Sequence, residues 1–163
     1  MSQVILFDLD GTLTESGEGI INCVQYALEK LGKKEEHPEN LQCFIGPPLK
    51  EQFMKYAGLD EETAVKAVKY YRVYYRERYT TTGIFENRLY PKIPELLELL
   101  KINNKILAVA SSKPEVYVKQ ILEHFQIADY FTAIVGSELD GRRTEKAEVI
   151  EEALRRMHLE EER

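Results

Sequence analysis

The sequence predicts an α/β fold built on a parallel β-sheet, and three short apolar segments support that prediction. Residues 4–7, 105–110 and 133–135 are rich in aliphatic and β-branched side chains, and each leads into a polar or glycine-containing stretch. Short apolar runs bounded by turn residues are typical of buried strands. The first run is continuous rather than alternating, which indicates a strand covered on both faces, as in parallel sheets. We therefore expect three parallel strands with helices around them.

The first strand ends in two carboxylates, Asp8 and Asp10. Open α/β sheets place their ligands at the carboxyl ends of strands, and a buried carboxylate is costly unless it is paired or binds a metal. Asp8 can form a covalent intermediate in phosphoryl transfer, and Asp10 can give a proton to a leaving oxygen and later take one from water. Gly11 can bring backbone amides close to a phosphate. A plain capped turn or a calcium loop is the alternative, and the strand context argues against both.

Composition limits the function classes. The 163 residues suggest one domain, or one domain with a small inserted module, and 44% hydrophobic with 31% charged residues is ordinary for a globular protein. A net charge of −6 argues against a nucleic-acid surface and a basic membrane patch, so an anionic substrate must meet local positive groups. Cys23 and Cys43 lack metal-ligand spacing, and neither a signal peptide nor a membrane-spanning run is evident. We expect a cytoplasmic protein.

The segment after the first strand predicts three helices. The first runs from about residue 18 to 31 and is stopped by Gly32, a charged loop covers 33–40, and the second helix runs from about 49 to Gly58. The third covers about 61–78, with Asp60 as N-cap. It carries several tyrosines interleaved with basic residues. A stacking surface for nucleic acid is one interpretation, but we favour a helix that packs its tyrosine rings on its neighbours while the hydroxyls reach solvent.

The second strand ends in Ser111-Ser112-Lys113-Pro114. Two hydroxyls beside a lysine before a helix can form a phosphate cradle, and a simple serine N-cap explains the pattern equally well. A helix that begins at Pro91 precedes this strand, and another helix covers about 115–125. The third strand leads to Arg142, Arg143 and Lys146 before the last helix. We expect the two arginines to be solvated surface residues, and a lysine in a helix's first turn, taken alone, is usually one as well.

Residues 7–13, Phe-Asp-Leu-Asp-Gly-Thr-Leu, resemble the first motif of the haloacid dehalogenase superfamily in its phosphatase form. The chain as a whole resembles the phosphoglycolate phosphatase-like branch, which also contains 5'-nucleotidases. The resemblance implies a Rossmann-like core at 1–15 and 87–163, with a small α-helical cap at 16–86. It also implies a Mg²⁺-dependent phosphatase for a small phosphorylated metabolite, with no nucleic-acid or membrane partner. A sugar phosphomutase from a related branch is an alternative.

The same resemblance assigns roles to individual side chains. Asp8 is the nucleophile, Asp10 is the acid and base, and Lys146 offsets negative charge. The phosphate-binding residues are Gly11, Thr12, Ser111 and Ser112, and the Mg²⁺ ligands are Asp8 and Asp10.

The family's fourth motif, an apolar strand ending in Gly-Asp, has no counterpart after Lys146, since no strand precedes Glu160, Glu161 and Glu162. We therefore expect a core that lacks its C-terminal strands and holds Mg²⁺ weakly, through Asp8, the carbonyl of Asp10 and water. The catalytic strand would then lie at a sheet edge, where it can pair with a second chain. A truncated phosphate-binding protein without catalysis is a further alternative.

Overall fold

A computed structural model describes residues 3–79 and 86–158 of the chain. The chain divides into two compact units, one formed by Met1–Thr14 with Leu89–Arg163 and the other by Glu15–Arg88. In chain order the strands and helices are β1 (Val4–Phe7), β2 (Thr14–Glu15), α1 (Gly17–Lys30), α2 (Leu49–Ala57), α3 (Glu61–Tyr79), β3 (Arg88–Leu89), α4 (Ile93–Ile102), β4 (Ile106–Pro114), α5 (Glu115–His124), β5 (Ala133–Ser137) and α6 (Lys146–Arg156).

The first unit is built on a three-stranded parallel sheet in the order β1-β4-β5. Val4 lies opposite Ile106, and Ala108 lies opposite Ala133. The predicted α/β class with a parallel sheet is therefore confirmed. Strand β4 continues to Pro114, four residues beyond the predicted end, because the serine-containing segment stays extended beside β5 after a shift in register past Ala110. The two short strands β2 and β3, which the sequence did not predict, form a separate two-stranded sheet.

Small side chains in the sheet allow close packing. Helices α5 and α6 both contact β4 and β5. On α6, Val149 and Ala153 are fully buried in a cluster with Ala108, Ala110 and Val135 of the sheet. Alanines at the sheet surface let the helix backbone approach closely. This packing fixes the position at which α6 begins.

Strand β1 lies at the edge of the sheet. Within residues 3–79 and 86–158, its one hydrogen-bonded neighbour is β4. All four residues of β1 are half-buried, whereas Leu107, Ala108 and Val109 of β4 are fully buried. The expectation of a first strand covered on both faces is therefore met only in part, and its continuous apolar sequence leaves side chains accessible at the edge.

In the described residues, 15–79 and 86–88, the second unit contains the helices α1, α2 and α3 and a 3-10 helix at Pro38–Phe44. The prediction of a loop through residue 40 was thus wrong at its end, where Pro38 begins helical structure. Helix α3 packs against both α1 and α2. Gly58 ends α2 in the left-handed conformation at φ 61°, and the Asp60 carboxylate accepts the backbone N–H of Thr63, as predicted for a helix stop and an N-cap.

The tyrosines of α3 pack within the second unit. Tyr71 and Tyr75 are buried, and Tyr74 stacks on Tyr26 with ring centroids 4.4 Å apart. These contacts agree with the packing interpretation, although the expectation that the hydroxyls reach solvent is wrong for Tyr75, whose hydroxyl is buried. Among the described helices, none has both the length and the apolar character needed to cross a bilayer.

Candidate active site

Asp8 directly follows β1 and is held from two sides. The backbone N–H of Leu9 donates to its Oδ1 at 2.8 Å, and Lys146 Nζ lies 3.0 Å from the same oxygen. The Asp8 side chain is 32% exposed, so it remains accessible to a ligand. The accessible carboxylate of Asp8 is thus paired with the ammonium group of Lys146, which offsets its negative charge. The sequence resemblance assigned these two residues to one site, and the structure brings them together.

Lys146 is the first residue of α6 and links that helix to the sheet. Besides Asp8, its Nζ donates to the carbonyl oxygen of Ala110 in β4 at 3.1 Å. The helix start is fixed by a capping box between Glu145 and Glu148, in which each side chain accepts the other residue's backbone N–H. The cap sets where the lysine side chain leaves the helix, so the reach of Lys146 to β1 and β4 follows from local sequence.

Asp10 forms a second ion pair, with Lys113 at the end of β4. Lys113 Nζ lies 3.1 and 3.0 Å from the two carboxylate oxygens of Asp10. The two side chains are only 6% and 8% exposed. Sequence reasoning left the role of Lys113 open, although a signal existed, since parallel neighbouring strands bring the residues after their carboxyl ends to one edge of the sheet.

Backbone amides of the turn after Asp10 donate hydrogen bonds within the turn itself. Gly11, at φ 80°, donates its N–H to the carbonyl of Thr14 at 2.8 Å, and Thr12 donates its N–H to the carbonyl of Leu9 at 3.1 Å. The amides of Gly11 and Thr12 are thus used within the turn, and the role of Gly11 in bringing backbone amides close to a phosphate stays a prediction. The left-handed backbone explains the glycine. Both Gly11 and Thr12 are exposed, which leaves the Thr12 side chain accessible.

Ser111 lies on the extended part of β4 rather than at a helix start. It is 1% exposed, and its hydroxyl accepts the backbone N–H of Lys113 at 3.2 Å. Helix α5 begins at Glu115 with Pro114 before it, and no side chain caps that end. The alternative of a serine N-cap is therefore wrong. Ser112 is half-buried on the same segment.

Two carboxylates could contribute to a metal site. Among the described residues, no group of three or more histidine, cysteine, aspartate or glutamate side chains is placed to hold an ion. Mg²⁺ commonly keeps several waters and uses one or two carboxylates. Asp8 and Asp10 meet that requirement, although each is paired with a lysine. Glu160–Glu162, considered above for this role, lie outside the described residues.

Two neighbouring arginines behave differently. Arg142 is 77% exposed and pairs with Asp140, as expected for a surface residue. Arg143 is 18% exposed and contacts carboxylates on three segments. The expectation of a solvated side chain is therefore wrong for Arg143, because its contacts come from residues far apart in sequence.

Comparison with known proteins gives a family match over almost the whole chain. The family described as haloacid dehalogenase-like hydrolase matches residues 5–163. This match confirms the resemblance inferred from the first motif and from the order of the later residues.

Three curated proteins show the range of relatives. A 5'-nucleotidase of Pseudomonas aeruginosa is 51% identical over 150 residues, covering 92% of this chain and 66% of that protein. A tyrosine-protein kinase PtkA of Mycobacterium tuberculosis is 38% identical over 152 residues, covering 93% and 50%. A phosphoglycolate phosphatase of Aquifex aeolicus is 35% identical over 141 residues, covering 86% and 63%. The chain thus spans between half and two thirds of the length of these relatives.

The solved structures agree on the fold. The crystal structure of a predicted phosphatase from Clostridium acetobutylicum superimposes with a TM-score of 0.90 at 49% sequence identity. The match covers 97% of this chain and 71% of that chain. Both units of the present chain therefore lie within the matched region.

Proposed function

Because the chain belongs to the haloacid dehalogenase-like hydrolase family, we propose that it hydrolyses small phosphate monoesters through a phosphorylated Asp8. The observation that best supports this is the placement of Lys146 Nζ 3.0 Å from Asp8 Oδ1, on a carboxylate that remains partly exposed. A carboxylate that attacks a phosphate meets like charge, so a fixed cation beside it lowers the electrostatic cost of approach. This activity is proposed for the whole protein.

The reaction would run in two displacements. In the first, an Asp8 oxygen bonds to phosphorus while the bond to the ester oxygen breaks, and Asp10 gives a proton to that leaving oxygen. In the second, Asp10 takes a proton from water, whose oxygen bonds to phosphorus and releases Asp8 and inorganic phosphate. Ser111 would contribute to holding the phosphoryl group, and Lys146 would offset its charge.

Asp10 must change partners during this cycle. Both of its carboxylate oxygens contact Lys113 Nζ, at 3.0 and 3.1 Å. Proton transfer to a leaving group therefore needs one of these contacts to give way to the ester oxygen. The remaining contact would keep the carboxylate oriented, which gives Lys113 a part in the acid–base step.

We also propose Mg²⁺ as the cofactor. The Asp8 carboxylate and the backbone carbonyl of Asp10 would hold it, with water and substrate oxygens as the other ligands. When bound, the ion neutralises phosphate charge and polarises the phosphoryl group. We place the protein in the cytoplasm, because its two cysteines lack the pattern of a disulfide framework.

The proposed substrates follow from the names of the relatives. Phosphoglycolate and nucleoside 5'-monophosphates are the first to test, since curated relatives are a phosphoglycolate phosphatase and a 5'-nucleotidase. The sequence left two other functions open. A phosphomutase would move phosphate between positions of a sugar with little release, and a binding protein would hold phosphate esters without turnover.

The test is phosphate release from a panel of esters, with Mg²⁺ and with a chelator, for the native chain and for Asp8→Asn. Asp140→Asn is a matched control, because Asp140 is a half-exposed aspartate that pairs with Arg142 outside the site. We expect Mg²⁺-dependent release that Asp8→Asn abolishes and Asp140→Asn leaves within about twofold, a free-energy change below 1 kcal/mol.

Three outcomes would contradict the proposal. Equal release by the native chain and Asp8→Asn would mean a different nucleophile. Transfer of phosphate between sugar positions without release would favour the mutase. Binding of the esters by a folded chain without turnover would favour the binding protein.

A further inference from the structure

Arg143 has an uncommon backbone conformation for a long side chain. In the loop between β5 and α6 it adopts φ 52°, in the left-handed region that favours glycine. Such a conformation persists where the surrounding structure fixes the residue, and it is enriched at functional sites. The side chain of Arg143 is 18% exposed, although it belongs to a surface loop. The contacts of its guanidinium group explain why it is held there.

The guanidinium of Arg143 contacts four residues from three segments of the chain. Its Nε donates to the carbonyl of Gly136 at 2.9 Å, and its Nη2 lies 2.9 Å from Glu138 Oε1. The same nitrogen lies 3.6 Å from Glu115 Oε1 at the start of α5, and Nη1 lies 3.9 Å from Glu152 Oε1 on α6. The planar guanidinium can serve several acceptors at once, which an ammonium group cannot do with the same geometry.

A second arginine completes the group. Arg156 Nη1 lies 2.9 Å from Glu115 Oε1, and its Nε lies 2.7 Å from Glu152 Oε1. Glu115 also accepts the backbone N–H of Gly136 at 3.4 Å. We call these five side chains the Arg143 cluster. They are Arg143, Arg156, Glu115, Glu138 and Glu152.

The Arg143 cluster joins the two segments that present the lysines of the site. Glu115 comes two residues after Lys113, and Arg143 comes three residues before Lys146. Gly136 lies so close to α5 that a Cβ there would come within 2.5 Å of the Cα and nitrogen of Glu115. The end of β4, the end of β5 and the loop into α6 are therefore held against one another at one place.

From this arrangement we propose that Arg143 is a positioning residue, which fixes the loop before α6 so that Lys146 Nζ meets Asp8. Arg143 acts through Lys146, and the kinetic part of the argument rests on the function proposed above. A misplacement of about 1 Å at a site of this kind can cost on the order of a hundredfold in rate. Loss of the guanidinium therefore lowers turnover by about ten- to a hundredfold.

The first test compares Arg143→Met with Arg142→Met, which removes a neighbouring guanidinium that is exposed and pairs with Asp140. At a temperature well below unfolding, we expect kcat for the best substrate to fall in Arg143→Met with KM within about threefold of the native value. Arg142→Met should keep native kinetics, and Arg143→Lys should recover part of kcat. Equal kcat in both methionine variants would overturn the proposal, because a purely structural role lowers stability without changing the rate of folded protein.

A second readout does not need turnover. Nuclear magnetic resonance with ¹³C-lysine follows the ε-methylene signals of Lys146, assigned by their loss in Lys146→Arg. We expect these signals to move toward those of exposed lysines in Arg143→Met and to stay in place in Arg142→Met. If the native chain releases no phosphate, the proposed function fails, and this measurement still decides the positioning role. Unmoved Lys146 signals in a folded Arg143→Met protein would overturn it.

One further variant covers the case in which Arg143→Met does not fold. Glu138→Gln removes the charge of the most exposed carboxylate in the Arg143 cluster, at 41% exposure, and keeps the arginine. A smaller displacement of the Lys146 signals in the same direction supports the proposal. No displacement of the Lys146 signals in folded Glu138→Gln contradicts it.

Discussion

Lys113 and Asp10 form an ion pair from which water is almost excluded, with side chains that are 6% and 8% exposed. Removing two charges from water costs free energy, and the attraction between the charges offsets that cost only while both are present. Sequence reasoning gave Asp10 a role and left Lys113 without one. At the scale of single residues, the burial of the Asp10 carboxylate depends on the ammonium group of Lys113.

The pair predicts a large effect of one substitution. Lys113→Met leaves the Asp10 carboxylate buried without its cation, which we expect to lower the free energy of unfolding by about 3 kcal/mol. Urea unfolding at neutral pH measures the change. The double variant Lys113→Met with Asp10→Leu removes both charges and should recover at least half of the loss, because the uncompensated charge is gone. A single variant within about 0.5 kcal/mol of the native chain would contradict this account of the pair.

At the scale of elements, α6 carries a carboxylate whose charge stabilises the fold. Hydrogen bonding from Arg155 is the largest cause that lowers the pKa of Glu152 from its ordinary 4.5 to about 2. Burial opposes this lowering, and Arg156 adds a smaller contribution in the same direction as Arg155. Because the folded pKa is the lower one, the stabilisation is fully present above pH 4.5 and is lost as the pH falls toward 2. Acid should therefore weaken the attachment of α6.

Glu152→Gln tests this pH dependence. We expect a loss of about 1 to 2 kcal/mol at pH 7, reduced from the full linkage value because Arg155 is largely exposed and screened by solvent. At pH 3 less than about half of the difference should remain. Urea unfolding at both pH values gives the two numbers, and Glu151→Gln, an exposed neighbour on α6, serves as the control. A difference that grows toward low pH would show that the sign is wrong.

Strand β5 contains a position that only glycine fits. A Cβ at Gly136 would lie within 2.5 Å of the backbone of Glu115 and closer still to the carbonyl oxygen of Lys113. Backbone cannot rotate away as a side chain can, so Gly136→Ala should cost about 1 to 3 kcal/mol. Chemical unfolding measures the loss. Gly141→Ala, where a Cβ meets nothing within 4 Å, controls for the general effect of a methyl group, although its φ of 93° adds strain. Native stability of Gly136→Ala would mean that β5 can shift without penalty.

The helices and strands also show where sequence patterns are enough to predict the bounds of an element. Periodic apolar residues and clear start and stop signals predicted α1, α2, α3 and α5 to within one or two residues, and they predicted that a last helix follows the third strand. Helix α4 begins at Ile93, two residues later than predicted, because Lys92 takes a left-handed conformation and Pro94 stands in the first turn. Strand β4 was predicted too short, since serine and lysine carry no strand pattern and their extended backbone depends on pairing with β5.

The candidate site divides in the same way. Asp8 was predicted from its place after a strand and Lys146 from the family resemblance, and the structure places the two side chains 3.0 Å apart. The shared edge of neighbouring parallel strands was a signal that Asp10 and Lys113 lie near each other. Their pairing and the burial of Arg143 depend on the register and separation of segments far apart in sequence, which local patterns do not report. The sequence around a residue predicts its local structure, whereas its charge partners on other strands and helices can be identified only once the fold is known.

At the scale of the whole molecule, we propose that β1 supports self-association through the edge at which no second strand lies among the described residues. In the parallel ladder, Ile106 donates its N–H to the carbonyl of Gln3. The backbone N–H and C=O groups of every second residue from Gln3 therefore point toward β4, and those of Val4 and Leu6 point toward the edge of the sheet. An apolar strand with unpaired backbone groups is a template for a second strand. We expect the sedimentation coefficient to rise with protein concentration, with a second copy of this chain as the partner.

Val4→Lys should weaken that association, because a charged side chain on an edge strand opposes pairing. Val4→Thr keeps the size and shape of the side chain and is the matched control. Sedimentation velocity over a hundredfold range of concentration measures both variants. A native chain that remains monomeric throughout, or equal association in the lysine and threonine variants, would contradict the use of this edge.

The split of the first unit along the chain has a consequence for synthesis on the ribosome. Strand β1 is complete at Phe7, but its partner β4 begins only at Ile106, and the whole helical unit is translated between them. At roughly 5 to 20 residues per second, β1 waits for about 5 to 20 seconds before the residues it pairs with exist. The helices, whose contacts are local, can form during that interval. The apolar strand that Asp8 follows thus stays without its partner during this interval, and we expect chaperones to protect it there.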